Sequence, residues 1–214
     1  PALDPLLKGG IFDDRHPGHG TATASVIISP PRSQTLQAKR GVTGIAPQAQ
    51  LVPMRTDLGV IYRKQSALER LAEAIDYATD IGCEVISMSL GGFPDGTFQM
   101  IAGIPDHEHT RKLRRSVERA AQQGVIMVAA AGNKKWTIAH RDPMVPAAYP
   151  EVMAMGASTI KNRPWSGTYT GPHVDACAPG ELVWCARAKR KDGHYTYSVR
   201  QGSGTSFATA NMAG

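Results

Sequence analysis

The sequence predicts an α/β three-layer sandwich with a mainly parallel central sheet, on three observations. Residues 83–88, 125–131 and 152–157 are short apolar runs of strand length. Leu68, Leu71, Ile75 and Ala78 form one apolar stripe at helical spacing, and Leu113, Val117, Ala120 and Ala121 form a second. The strand-like runs and the stripes alternate along the chain. Alternation of this kind implies parallel strands buried on both faces by their crossover helices.

The elements follow in order. Residues 19–29 read as a helix opening at His19. Residues 51–55 read as a short strand after the turn Gly41-Val42-Thr43-Gly44. The first amphipathic stripe makes a helix, the run 83–88 a strand closed by Gly91-Gly92, and the second stripe another helix stopped by Gly124. Residues 125–131 and 152–157 are the next strands. Residues 174–178, 181–186 and 194–200 are shorter ones, the last two joined by the basic turn Lys189-Arg190-Lys191-Asp192-Gly193. A final helix opens at Thr205. Residues 30–40 and 93–109 read as long surface loops.

The 214 residues are enough to bury a full core in one domain, and 42% hydrophobic with 20% charged residues is a globular composition. No apolar run is long enough to span a bilayer. The start at Pro1 and the end at Gly214, inside a predicted helix, read as a domain cut at both ends. Net charge is +6, with basic clusters at Arg111-Lys112-Leu113-Arg114-Arg115 and Arg187-Ala188-Lys189-Arg190-Lys191. Nucleic-acid binding is one reading of them. A solvated helix face and a charged hairpin tip are the preferred one, because no aromatic interleaving or binding motif accompanies the charge. Cys83, Cys177 and Cys185 have neither metal spacing nor a disulfide framework, and Cys83 and Cys177 read as core thiols.

Three residues stand out for their chemistry. Ser206, in Gly204-Thr205-Ser206-Phe207-Ala208-Thr209, opens a small-residue helix. A serine hydroxyl needs an adjacent base to act as a nucleophile, and the free N–H groups of a helix start can donate to an oxyanion. Taken alone, the pattern reads sooner as Thr205 or Ser206 serving merely as an N-cap; His19 and Asn133 tip it the other way. His19, flanked by Gly18 and Gly20, is the candidate base, since imidazole takes and returns protons near neutral pH. A metal site built on His16 and His19, or on His107-Glu108-His109, is disfavoured. Pro17 and Gly18 break the helix that the first pair needs, and neither set has a partner motif. Asn133 ends the apolar run Ala130-Ala131-Gly132-Asn133, and its amide is a candidate second oxyanion donor. An Asn in a left-handed turn is the plainer alternative. In a parallel sheet, sites gather at the carboxyl ends of strands. Asn133 and Ser89-Leu90-Gly91-Gly92 both follow such ends.

Histidine, amide and serine in this order, in these segments, resemble the subtilisin-like serine peptidases (subtilases). Gly44-Ile45-Ala46-Pro47, Pro146-Ala147-Ala148-Tyr149-Pro150 and Ala178-Pro179-Gly180 match further landmarks of that family. The resemblance implies serine endopeptidase activity through an acyl-enzyme, with His19 as base, Ser206 as nucleophile and Asn133 in the oxyanion hole. It implies that Ser89, Leu90, Gly91 and Gly92 on one side, and Ala130, Ala131 and Gly132 on the other, bind an extended peptide. It also implies protein or peptide substrates, an apolar P1 residue and a possible inhibitory prosegment upstream. No nucleic-acid or membrane partner is expected. It implies no cofactor; calcium is known in the family, but residues 30–43 show no matching loop and no ligand set is identified. The compartment stays open, secretion being common among such proteins.

The chain departs from the family in one respect. The family's Asp-Ser/Thr-Gly is absent, so the triad aspartate is not in the chain. Asp4, Asp13 and Asp14 have no matching context, while Pro1-Ala2-Leu3 resembles the stretch that follows the motif. The expectation is an aspartate shortly upstream of Pro1. If it were truly lost, a peptide-binding module without catalysis would be the alternative.

Overall fold

The computed structural model describes residues 18–31, 41–56, 67–91, 107–134, 144–191 and 194–214. Its elements are α1 (His19–Ile28), α2 (Ala67–Asp80), β1 (Val85–Met88), α3 (His107–Gln122), β2 (Ile126–Ala130), β3 (Met153–Ser158), β4 (Ala176–Pro179), β5 (Val183–Lys191), β6 (His194–Gly202) and α4 (Thr205–Ala213). Strands β1 to β4 form a four-stranded sheet in sequence order, and every pair is parallel. Strands β5 and β6 form a separate antiparallel hairpin.

The three layers follow from side-chain alternation along the strands. Met127 and Ala129 of β2, with Ala154 of β3, pack with Leu68, Leu71 and Ile75 of α2 and Leu113, Val117 and Ala120 of α3. The intervening Val128, with Met155 and Ala157, packs with Ala208 of α4. A period of two thus feeds two cores on opposite faces of one sheet. Because both faces are covered, β2 and β3 are apolar at almost every position rather than at alternate ones. Among the described residues, the outer surfaces of α2 and α3 are held together by ion pairs, Lys112 with Glu73 and Arg119 with Asp76 and Asp80.

Helix α4 is enclosed because its residues are small. Ala208 and Ala210 are fully buried, one toward the sheet and the other toward α1. Helices α1 and α4 run in the same direction. Ile45 and Ala46 donate to the last carbonyls of α1, Val26 O (3.0 Å) and Ile27 O (2.8 Å), and Gly214 beyond the end of α4 abuts Ile45. Their carboxyl ends therefore share one end of the molecule, and Ala22 and Phe207 meet nearer their starts. The hairpin closes over α1: Ala186 N donates to Ser25 Oγ at 2.8 Å, and Cys185 is buried in the same cluster. Gly18 caps α1 with φ 92° and has Ala188 of the hairpin pressed against it, where a Cβ would come 2.6 Å from the Ala188 carbonyl oxygen. Only glycine combines that conformation with that contact.

Several expectations are corrected. Residues 51–55 form no strand, and Leu51 and Val52 are exposed. A strand exists only where a neighbour completes its ladder, and no described strand lies beside this segment. Cys177 is exposed rather than a core thiol, because β4 is an edge strand of the sheet; Cys83 is half-buried. Helix α3 begins at His107, inside the predicted loop 93–109, since its polar first turn carries no apolar stripe. Lys191 pairs with His194, so the ladder extends through most of the predicted basic turn. Backbone pairing is indifferent to the charge of the side chains it carries. Asp4, Asp13, Asp14, His16, Gly92 and most of residues 30–40 lie outside the described residues.

Candidate active site

Helix α4 and the loop after β2 meet at one hydrogen-bonded junction. The backbone N–H of Thr205, first residue of α4, donates to Asn133 Oδ1 at 3.0 Å, and Thr205 Oγ1 lies 3.3 Å from the same oxygen. Gly132 N donates to Thr205 Oγ1 at 3.3 Å. Because a backbone N–H can only donate, the amide oxygen must be the atom facing Thr205. The Asn133 NH₂ group is thereby left to donate elsewhere, and the whole amide flanks Gly204, with Nδ2 3.5 Å and Oδ1 3.6 Å from the place a Cβ would occupy there. Gly204 adopts φ 158° and ψ 160°, a conformation essentially confined to glycine.

The Asn133 loop is also held from its other side. Tyr169 N donates to Gly132 O (2.9 Å), and Lys134 N donates to Gly167 O (2.9 Å). Asn133 forms an isolated antiparallel bridge with Thr168, whose Oγ1 in turn accepts from Ala157 N of β3 at 2.8 Å. The loop is therefore fixed by strand β3 and helix α4 together, and the side-chain amide by helix α4.

Ser206 is second in α4. The N–H of Thr205 goes to Asn133, and that of Phe207 to Gly204 O at 3.1 Å. The Ser206 N–H has no intrahelical acceptor at this position. Ser206 and Ser89 exchange hydrogen bonds. Ser89 Oγ donates to Ser206 O at 2.8 Å, and Ser206 Oγ donates to Ser89 O at a longer 3.3 Å. The end of β1 is thus tied directly to the start of α4. Leu90 is partly exposed, whereas Ala130, Ala131 and Gly132 across the gap are buried. His19 is the first residue of α1 and is exposed. The parallel packing of α1 and α4 puts it at the same end of the molecule as Ser206.

Ser206, Asn133, Ser89 and Gly132 are therefore joined through hydrogen bonds, and His19 stands at the neighbouring helix start. The described aspartates are engaged elsewhere: Asp76 and Asp80 with Arg119, and Asp175 as acceptor from Ala154 N at 2.7 Å. Among the described residues, no group of three or more His, Cys, Asp or Glu side chains comes together in a metal-binding arrangement. No described helix is long and apolar enough to cross a membrane.

Sequence reasoning missed two kinds of residue. Thr205 read as no more than a helix cap, yet it is fully buried and orients Asn133. Thr168 carried no signal at all, because it acts by bridging Asn133 and accepting from Ala157 N, both distant in the chain.

Comparison with known proteins agrees with the geometry. The profile of the subtilase family matches residues 9–214. The major intracellular serine protease of Bacillus subtilis (strain 168) is 29% identical over 92% of this chain, and the thermophilic serine proteinase of Bacillus sp. (strain AK1) is 32% identical over all of it. The chain spans 53% and 47% of those two proteins, about half their length. Among solved structures, the prenylagaramide maturation protease PagA superposes with a TM-score of 0.67 at 29% identity, over 92% of this chain and 61% of that one. The self-cleaved protease domain of PatA gives 0.67 at 30% identity, over 98% and 66%.

Proposed function

The chain belongs to the subtilase family, and from that premise we propose that it forms the catalytic region of a serine endopeptidase that cleaves peptide bonds through an acyl-enzyme. The observation that carries the reading is the Asn133–Thr205–Ser206 junction. The Thr205 N–H takes the Asn133 oxygen, and in this reading the amide NH₂ left over and the helix-start N–H of Ser206 donate into the space in front of the serine hydroxyl. Two donors converging there serve a carbonyl oxygen that gains negative charge, since preorganised dipoles act most strongly where charge develops.

In the proposed reaction, His19 takes the proton from Ser206 Oγ as that oxygen bonds to the carbonyl carbon of the scissile peptide. The C=O π electrons move to oxygen, and Asn133 Nδ2 and the Ser206 N–H hold the resulting oxyanion. Collapse re-forms the C=O and breaks the C–N bond, and His19 gives its proton to the leaving amine. Water then attacks the ester with His19 as base, and Ser206 recovers its proton. The long Ser206–Ser89 bond releases at little cost when the hydroxyl turns toward His19. An aspartate that would orient His19 has no counterpart among the described residues, and such a partner is worth about 10⁴ in kcat.

An extended peptide would lie between Ser89-Leu90-Gly91 and Ala130-Ala131-Gly132 and add as a strand, with backbone hydrogen bonds supplying affinity. An inhibitory prosegment would use the same groove. For the basic cluster on α3 the reading is structural, because Lys112, Arg114 and Arg119 are paired with carboxylates. The test is Ser206→Ala in the full-length protein. Peptide turnover and labelling by a phosphonate that reacts with activated serines are both expected to vanish, and retained turnover would sink the assignment.

A further inference from the structure

The gap between the two peptide-binding walls is not open. Met144 stands in it. A Cβ placed on Gly91 would lie 3.3 Å from Met144 Cε and 3.5 Å from Met144 Cβ, and one placed on Gly132 would lie 2.7 Å from Met144 Sδ and 3.6 Å from its Cγ. The thioether therefore spans from the backbone of one wall to the backbone of the other, and fills the room that two glycines leave. The point from which it projects is fixed. Met144 O accepts from Ala148 N at 2.8 Å, and the next residue, Val145, is 2% exposed. Val145 O is also 3.2 Å from the Gly91 Cβ position, so the whole 144–145 segment is wedged under that wall.

We propose that Met144 is a specificity-determining residue that plugs the P1 side-chain pocket and restricts this peptidase to small P1 residues such as alanine and serine. The inference rests on the peptidase reading and sharpens it, since the family resemblance implied no more than an apolar P1 residue. A side chain entering between Gly91 and Gly132 meets the sulfur and methyl of Met144 first. An alanine methyl fits above them, whereas a phenylalanine ring requires the thioether to leave both walls. Differences of one or a few methylene groups in an apolar pocket discriminate roughly 10- to 200-fold.

The test separates the pocket from the chemistry. In full-length protein carrying Ser206→Ala, the affinities of product-side peptides that differ only in ending in alanine or phenylalanine are measured by fluorescence titration. This is done with Met144 intact and with Met144→Ala, Met144→Val and Met144→Leu. With Met144 intact, the alanine peptide binds more tightly. Met144→Ala and Met144→Val shift the Phe:Ala affinity ratio toward Phe by roughly tenfold or more, while Met144→Leu, close in volume, stays near the parent. The same order is expected for kcat/KM in proteins that retain Ser206. An unchanged ratio in every folded variant, or no peptide binding to any of them, overturns the plug. A shifted binding ratio without phosphonate labelling of Ser206 leaves the plug standing and removes the peptidase reading.

Discussion

Asn133 shows how much of a site depends on which way one amide faces. The residue was visible in the sequence as a polar end to an apolar run, but an Asn after Gly is as often a turn residue. The Thr205 N–H at 3.0 Å takes the oxygen and so leaves the NH₂ as the group able to donate elsewhere. Asn133→Ala is therefore expected to lower kcat by about 10²–10³ with little change in KM, the magnitude known for this donor in subtilisin itself. A rise in KM alone, or no loss in kcat, would show that the amide only shapes the loop. Ser206 and His19 were equally legible, because reactive side chains at the starts of small-residue helices are unusual. Thr205 and Met144 were not, since neither residue type at that position signals what it will touch.

Helices α2 and α3 were the clearest elements in advance. Their apolar stripes came out buried: Leu68, Leu71 and Ile75 on one, Leu113, Val117 and Ala120 on the other. That success is local physics, because a 3.6-residue period needs only one covering surface, whatever its identity. The stripe residues also dominate the stability of this layer. Leu113 is fully buried between α2 and the sheet, so Leu113→Ala should cost about 2–5 kcal/mol in urea unfolding. A loss below about 1 kcal/mol would mean that the layer is loosely packed. By contrast, the pairs Lys112–Glu73 and Arg119–Asp76 are largely solvent-exposed and contribute little individually. Residues 51–55 failed as a strand for the opposite reason: an extended apolar run is a strand only when a neighbour completes its ladder, and that neighbour is not readable from the run itself.

Taken whole, the described part is a sheet shielded on both sides, with the candidate site where β1, β2, α1 and α4 end or begin. The loop before β4 gives its stability a pH dependence. Both ring nitrogens of His173 are shielded from water and have no hydrogen-bond partner among the described residues, and the ring lies 5.7 Å from that of Tyr169. Burial lowers its pKa below the ordinary imidazole value, with Asp175 opposing. The unfolded chain then takes up the proton first as pH falls. Stability is complete above the unfolded value near 6.5 and declines as pH drops toward the folded one. Melting temperature should fall between pH 7.5 and 5, and fall less in His173→Phe, which keeps a ring against Tyr169 but cannot titrate. Equal slopes for the two proteins would assign the effect to other groups. From the chain alone one could read the layered α/β architecture, the order of its main elements and the residue types of a serine peptidase site, because periodicity and helix-start chemistry are local. Folding supplied the rest. The direction of the Asn133 amide, the union of Ser89 with Ser206 and the insertion of Met144 between Gly91 and Gly132 each join residues distant in sequence. Such contacts are set by packing and by hydrogen-bond geometry in three dimensions, which no single segment encodes.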